Sequence, residues 1–187
     1  MRLDVSHIPQ DAAIQSATLK LYFYGAYGTN KVTRTIQCHQ VLKYWYQSVA
    51  TWRKRLSGVY WGTYGVGLDD IDAKSTPEDS QDWYDDYPIW KNYDITALTQ
   101  KWVNGTADND GVIPKSRDKF FWATNEDDYT DGDEKWVYSS EYSDASKRPK
   151  LVVTYTVDPI AENQYDALVR PSYHRDLCQR RHRNQPV

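Results

Sequence analysis

The sequence predicts an all-β domain, an antiparallel β-sandwich with one short helix near residues 95–103, and three observations carry the prediction. Apolar residues alternate along 14–23, short β-branched or aromatic runs recur between polar loops, and a single segment has helical spacing.

In the first segment Ile14, Ala17, Leu19, Leu21 and Phe23 settle into odd-numbered alternation, the period of a strand with one buried face. The even positions Thr18, Lys20, Tyr22 and Tyr24 then face outward. Residues 32–38 repeat the pattern, with Ile36 and Cys38 alternating against Thr35 and Gln37, and 25–30 supply a turn, so the two runs read as a hairpin. Residues 70–90 have neither period and read as a long acidic, aromatic loop. Ile95, Leu98 and Trp102 recur at three and four residues, with Asp94 placed to cap the helix and Gly105 to end it. Residues 120–124, 135–139 and 151–157 read as further strands. Beyond 157 strand formers thin out and Arg170, Arg175, Arg180, Arg181 and Arg183 face a single acid, Asp176. The chain therefore divides into a domain at 1–157 and a linker or partner-ordered tail at 158–187.

The chain has 187 residues, enough for one domain with a sizeable core. Its 8 Trp and 16 Tyr outweigh 3 Phe and 1 Met, so the aromatic inventory consists mostly of rings with a polar tip, suited to wet contact surfaces. A net charge of −3 offers no field for nucleic acid, and no apolar run approaches the ~20 residues of a membrane helix. Two cysteines, Cys38 and Cys178, make no disulfide framework and have no metal-ligand spacing.

The acids lie in loop runs where hydration and mutual repulsion are expected, not in a pair held across a substrate, and His7, His39, His174 and His182 stand beside no nucleophile or zinc motif. The chain reads as a non-enzyme. Calcium is the cofactor its acids would suit, through Asp127, Asp131 and Asp133 or the run from Asp82 to Asp86, although the spacing from Asp127 fails the EF-hand pattern. Sugar binding needs flat rings against a pyranose face and polar groups around its hydroxyls. That mixture occurs at Tyr60, Trp61 and Tyr64, and again at Trp83, Tyr84, Tyr87 and Trp90 beside Asp82, Asp85, Asp86 and Lys91. Trp45 and Trp52 read as packing residues, Glu141 and Arg148 as an ion pair pinning the last strand, and Asn104-Gly105-Thr106 as a glycosylation sequon in a loop.

The runs LDVSHIPQDAAIQSATLKLYFYG, VLKYWYQSVATW, YDITALTQKWVNGTADNDGVIP and VYSSEYSDASKRPKLVVTY, in that order over roughly residues 1–156, resemble the DNRLRE, or disaggregatase-related, repeat family. The resemblance implies a jelly-roll-like sandwich in secreted or cell-surface proteins, some of whose relatives look like carbohydrate-binding modules. It also implies leading strands ahead of the segment that here opens as Met1-Arg2-Leu3-Asp4. Their absence from this sequence would leave an edge for a preceding part of the parent protein, another copy or the 158–187 tail to fill. The expected function is that of a non-catalytic, extracellular or cell-surface module binding polysaccharide or serving adhesion. The alternative is a structural subunit of a surface layer, sheath or filament, assembled by strand addition and aromatic loops.

Overall fold

The computed structural model describes residues 1–27, 33–84, 86–116 and 134–157. The first strand, β1 (Ala13–Tyr27), is the longest element and organises one sheet. On one edge it pairs antiparallel with β6 (Ile89–Asp94), from Thr18 opposite Asp94 to Phe23 opposite Ile89. Its other edge is shared end to end by β9 (Lys150–Thr156), opposite Ala13–Lys20, and β8 (Glu134–Val137), opposite Phe23–Tyr27.

The second sheet has the order β5-β2-β7, in which β2 (Arg34–Gln40) lies between β5 (Asp79–Trp83) and β7 (Val112–Ser116). A separate ribbon pairs β3 (Lys54–Leu56) with β4 (Val59–Tyr60). The whole is an antiparallel β-sandwich. The alternation along β1 holds, since Ala17, Leu19, Leu21 and Phe23 are buried while Tyr24 is exposed on the other face.

The predicted hairpin does not form. Both edges of β1 are taken by β6, β8 and β9, and β2 lies in the opposite sheet, so the two runs face each other across the core and are not paired. The long acidic loop likewise contains a strand, β5, whose sequence Asp-Ser-Gln-Asp-Trp hides its period because only Trp83 is buried.

The helix α1 (Thr96–Val103) falls where its spacing predicts and buries Leu98 and Trp102. Its N-cap residue is Ile95, with Asp94 one position earlier accepting the Thr96 amide at 2.9 Å, and Gly105 sits past its end at φ +72°. Gln100 fastens it to the start of β1, accepting from the Ile14 amide at 2.8 Å and donating to the Ala12 carbonyl at 3.1 Å.

Inside, Cys38 is buried in the core and burial pushes its thiol up to about 12. The predicted Glu141–Arg148 ion pair is absent: Arg148 Nε donates to the Tyr142 carbonyl at 2.7 Å, and Glu141 accepts from Ser140 Oγ at 3.0 Å. Trp45 and Trp52 are half-buried packing residues, with Trp45 Nε1 donating to the Asp110 carbonyl at 2.8 Å. A side chain at Gly65 would meet the Trp52 ring at 2.4 Å, which is why that turn, at φ +76°, takes glycine. Among the described residues no helix is long and apolar enough to cross a membrane. The strand expected at 120–124, Cys178, His174, His182 and the tail at 158–187 lie outside the described residues.

Candidate functional site: a ring-lined outer face

Strand alternation turns Lys20, Tyr22 and Tyr24 of β1 away from the core, and the register decides what stands beside them. Tyr22 is opposite Trp90 on β6, and their rings meet edge to face at 5.0 Å and 82°. On the other edge the pairing slips between Phe23 and Gly25, placing Tyr24 at a bulge where β8 delivers Trp136. A side chain at Gly25 would come within 3.0 Å of the Trp136 ring, so its absence lets the indole lie across the strand.

Chain leaving β8 adds two more rings. Tyr138 stacks on Tyr24 at 4.2 Å and 9°, and Tyr142 stacks on Tyr138 at 3.6 Å and 13°. Tyr22 lies parallel to Tyr138 at 5.7 Å, and Tyr24 is 6.1 Å from Trp136. Tyr138 is thus sandwiched, whereas Tyr24 and Trp136 are exposed. The hydrogen bond with Tyr142, followed by partial desolvation and the neighbouring phenols, holds the Tyr138 phenol up at about 12.

Lysines surround these rings. Lys150 Nζ lies 4.4 Å from the centre of Trp90, Lys20 Nζ lies 5.6 Å from the same ring, and Lys147 Nζ is 5.8 Å from Tyr22. Lys20 and Lys150 are direct cross-strand partners, with Asn92 completing the row on β6. Like charges directly opposite are unfavourable on a sheet, and this row has no acid to offset them. Among the described residues, Lys147 alone of these lysines has a carboxylate, Asp144, at 3.2 Å.

The residues expected to bind sugar divide. Tyr60, Tyr64, Tyr84 and Tyr87 are exposed, and Trp90 is half-buried in the ring face. Trp61 and Trp83 are only 7% and 3% exposed and belong to the interior, a correction with a clear cause. Each indole N–H finds a partner inside, Trp61 on the Thr51 carbonyl at 3.0 Å and Trp83 on the Tyr93 hydroxyl at 2.9 Å. The sequence reading also missed Tyr22, Tyr24, Trp136, Tyr138 and Tyr142 as a group. The outward alternation of Lys20, Tyr22 and Tyr24 was readable, but their neighbours come from β6, β8 and β9, far along the chain, and are fixed only by pairing register.

The acids serve local structure. Asp82 accepts from Thr35 Oγ1 at 2.7 Å, and Asp86 receives Lys91 Nζ at 3.0 Å. Hydrogen bonds from Ser6, Ser75, Thr96 and Ser146 hold the carboxyls of Asp4, Asp70, Asp94 and Asp144 below the usual range. Among the described residues no group of three or more His, Cys, Asp or Glu is arranged to hold a metal, while Asp85, Asp127, Asp131 and Asp133 lie outside them.

Compared with known families, residues 1–153 match the model of the disaggregatase related repeat domain. No curated protein and no solved structure matches the chain.

Proposed function

The chain belongs to the disaggregatase related repeat domain family, and from that premise and the ring-lined face we propose that it is a non-catalytic, extracellular module that binds polysaccharide. The observation that carries the reading is the clustering of Tyr22, Tyr24, Trp90, Trp136, Tyr138 and Tyr142 on one outer sheet face, where a core has no use for them. From Thr18 to Tyr24 that face runs about 20 Å at about 3.3 Å per residue, long enough for several sugar units in line.

Exposed Trp136 and Tyr24 offer apolar surface to pyranose rings, and the Tyr hydroxyls and Asn92 supply hydrogen bonds to sugar hydroxyls. The Lys20–Lys150 pair, lacking an acid in its row, suits carboxylated or sulfated units. The chain should be retained on an immobilised acidic polysaccharide and released by the free polymer. Passage through every matrix of a panel of acidic and neutral polysaccharides without delay would refute the reading.

A further inference from the structure

We propose that the β3–β4 ribbon is a docking surface for an acidic, extended segment of a partner protein. From Ala12 to Leu68 the sequence contains no Asp or Glu and seven Lys or Arg, although the whole chain is net negative at −3. Three of the seven, Arg53, Lys54 and Arg55, lie on or beside the ribbon. Among the described residues none of these three has a carboxylate within ion-pair distance, and Asp110, whose carboxyl feels the charge of Arg55, is taken by Arg2 at 3.5 Å.

The cations rest on rings. Arg53 lies 5.4 Å over Tyr64, and Lys54 lies 5.6 Å over Tyr60, its own cross-strand partner. Arg55 donates to the Tyr44 carbonyl at 2.8 Å, and Arg2 covers the Tyr44 ring at 4.3 Å. Beside them opens a cleft of about 530 Å³ lined by Arg2, Trp45, Tyr46, Gln47 and Ser48. Tyr and Arg together are the residues that dominate protein–protein contacts, and mounting a guanidinium on a ring fixes it before a partner arrives.

Two features select a peptide over a sugar as occupant. Among the described residues β4 has no strand partner except β3, so its other edge presents backbone for an added strand. Val59 and Ile71 are exposed, and hydrocarbon without a flat ring face suits an apolar side chain better than a pyranose. An extended segment alternating acidic and apolar residues would satisfy the edge, the cations and the apolar spots together.

The probe is a short labelled peptide alternating Glu and Val, titrated against the full chain, with a Ser-for-Glu peptide and a polyuronate as comparison arms. The acidic peptide should bind, weaken as salt is raised, and bind roughly tenfold more weakly after Arg53→Gln with Lys54→Gln. Neither side chain makes a hydrogen bond among the described residues, and matched melting curves establish that the fold survives. Tyr24→Ala with Trp136→Ala should leave peptide binding unchanged. Equal binding of the Ser peptide, no loss in the ribbon variant, or displacement of the peptide by self-association of the chain would overturn the assignment. So would polyuronate binding that alone depends on Arg53 and Lys54.

Discussion

Trp83 Nε1–H donates to the Tyr93 hydroxyl at 2.9 Å, and that hydroxyl donates onward to the Ile36 carbonyl at 3.2 Å, so one hydrogen-bond chain ties the two sheets together through the core. Trp83 and Ile36 come from the β5-β2-β7 sheet and Tyr93 from the sheet of β1. Burial pushes the Tyr93 phenol far up, consistent with a permanently neutral link. Tyr93→Phe strands a buried indole N–H and should cost about 1–3 kcal/mol, read as a lowered melting temperature. Polysaccharide retention below the melting range should not change, which separates this buried pair from the outer rings.

Lys91 occupies an inward position opposite Leu21, where a sandwich ordinarily places an apolar residue. Its ammonium escapes to the end of the core, 3.0 Å from Asp86 Oδ1 and 3.4 Å from the Asp82 carbonyl. Removing the half-exposed acid, as in Asp86→Ala, leaves a buried cation short of a partner and should destabilise by about 1–3 kcal/mol. Lys91→Met, which removes the charge and keeps the length, should cost less than Asp86→Ala. Chemical denaturation of the two variants measures the order directly.

His39 is fully buried, and its Nδ1–H donates to the Lys74 carbonyl at 2.8 Å, since a carbonyl only accepts; among the described residues Nε2 has no partner. Burial, aided by Lys115 and opposed by the Lys74 carbonyl, lowers its pKa below the ordinary 6.5. The unfolded chain therefore takes up a proton near pH 6.5 while the folded chain does not. Stability should fall as pH drops from 6.5 toward the lowered folded value, a slope that His39→Gln should flatten. The lowered carboxylates Asp4, Asp70, Asp94 and Asp144 weaken the fold in the same direction, but only near and below pH 3.8. Melting curves at stepped pH separate the two windows.

Asp72 is a buried carboxylate that accepts the Gly62 amide at 2.9 Å and the Thr63 amide at 2.8 Å, drawing the 61–73 loop around itself. Lys115 closes the same loop from β7, donating to the Gly65 and Val66 carbonyls at 3.0 and 2.8 Å. Asp72→Ala orphans these two amides and that of Gly67, which donates to Asp72 Oδ2 at 3.4 Å, and should cost about 2–4 kcal/mol, with the amides of 62–67 losing hydrogen-exchange protection first.

How much of this was legible follows from which contacts are local. The buried row from Ala17 to Phe23 and the helix around Leu98 and Trp102 repeat at the period of their own element, so a short window reveals them. Trp83 and Trp61 look like surface rings because polar residues flank them, and only the opposing strand or a distant carbonyl shows that they turn inward. The outer ring face is hidden for a related reason. It joins Tyr24 to Tyr138 and Tyr142 through a pairing register slipped by one bulge, a long-range fact that no local pattern encodes. The mistaken hairpin assumed that neighbours in sequence pair in space, whereas both edges of β1 go to strands from the later part of the chain.

The most direct test is affinity electrophoresis in gels containing acidic or neutral polysaccharides, run on the wild type and on Tyr24→Ala with Trp136→Ala. Wild-type migration should be retarded by at least one polymer, retardation should vanish in the double variant, and it should persist in Tyr84→Ala. A double variant retarded as strongly as the wild type would contradict the account.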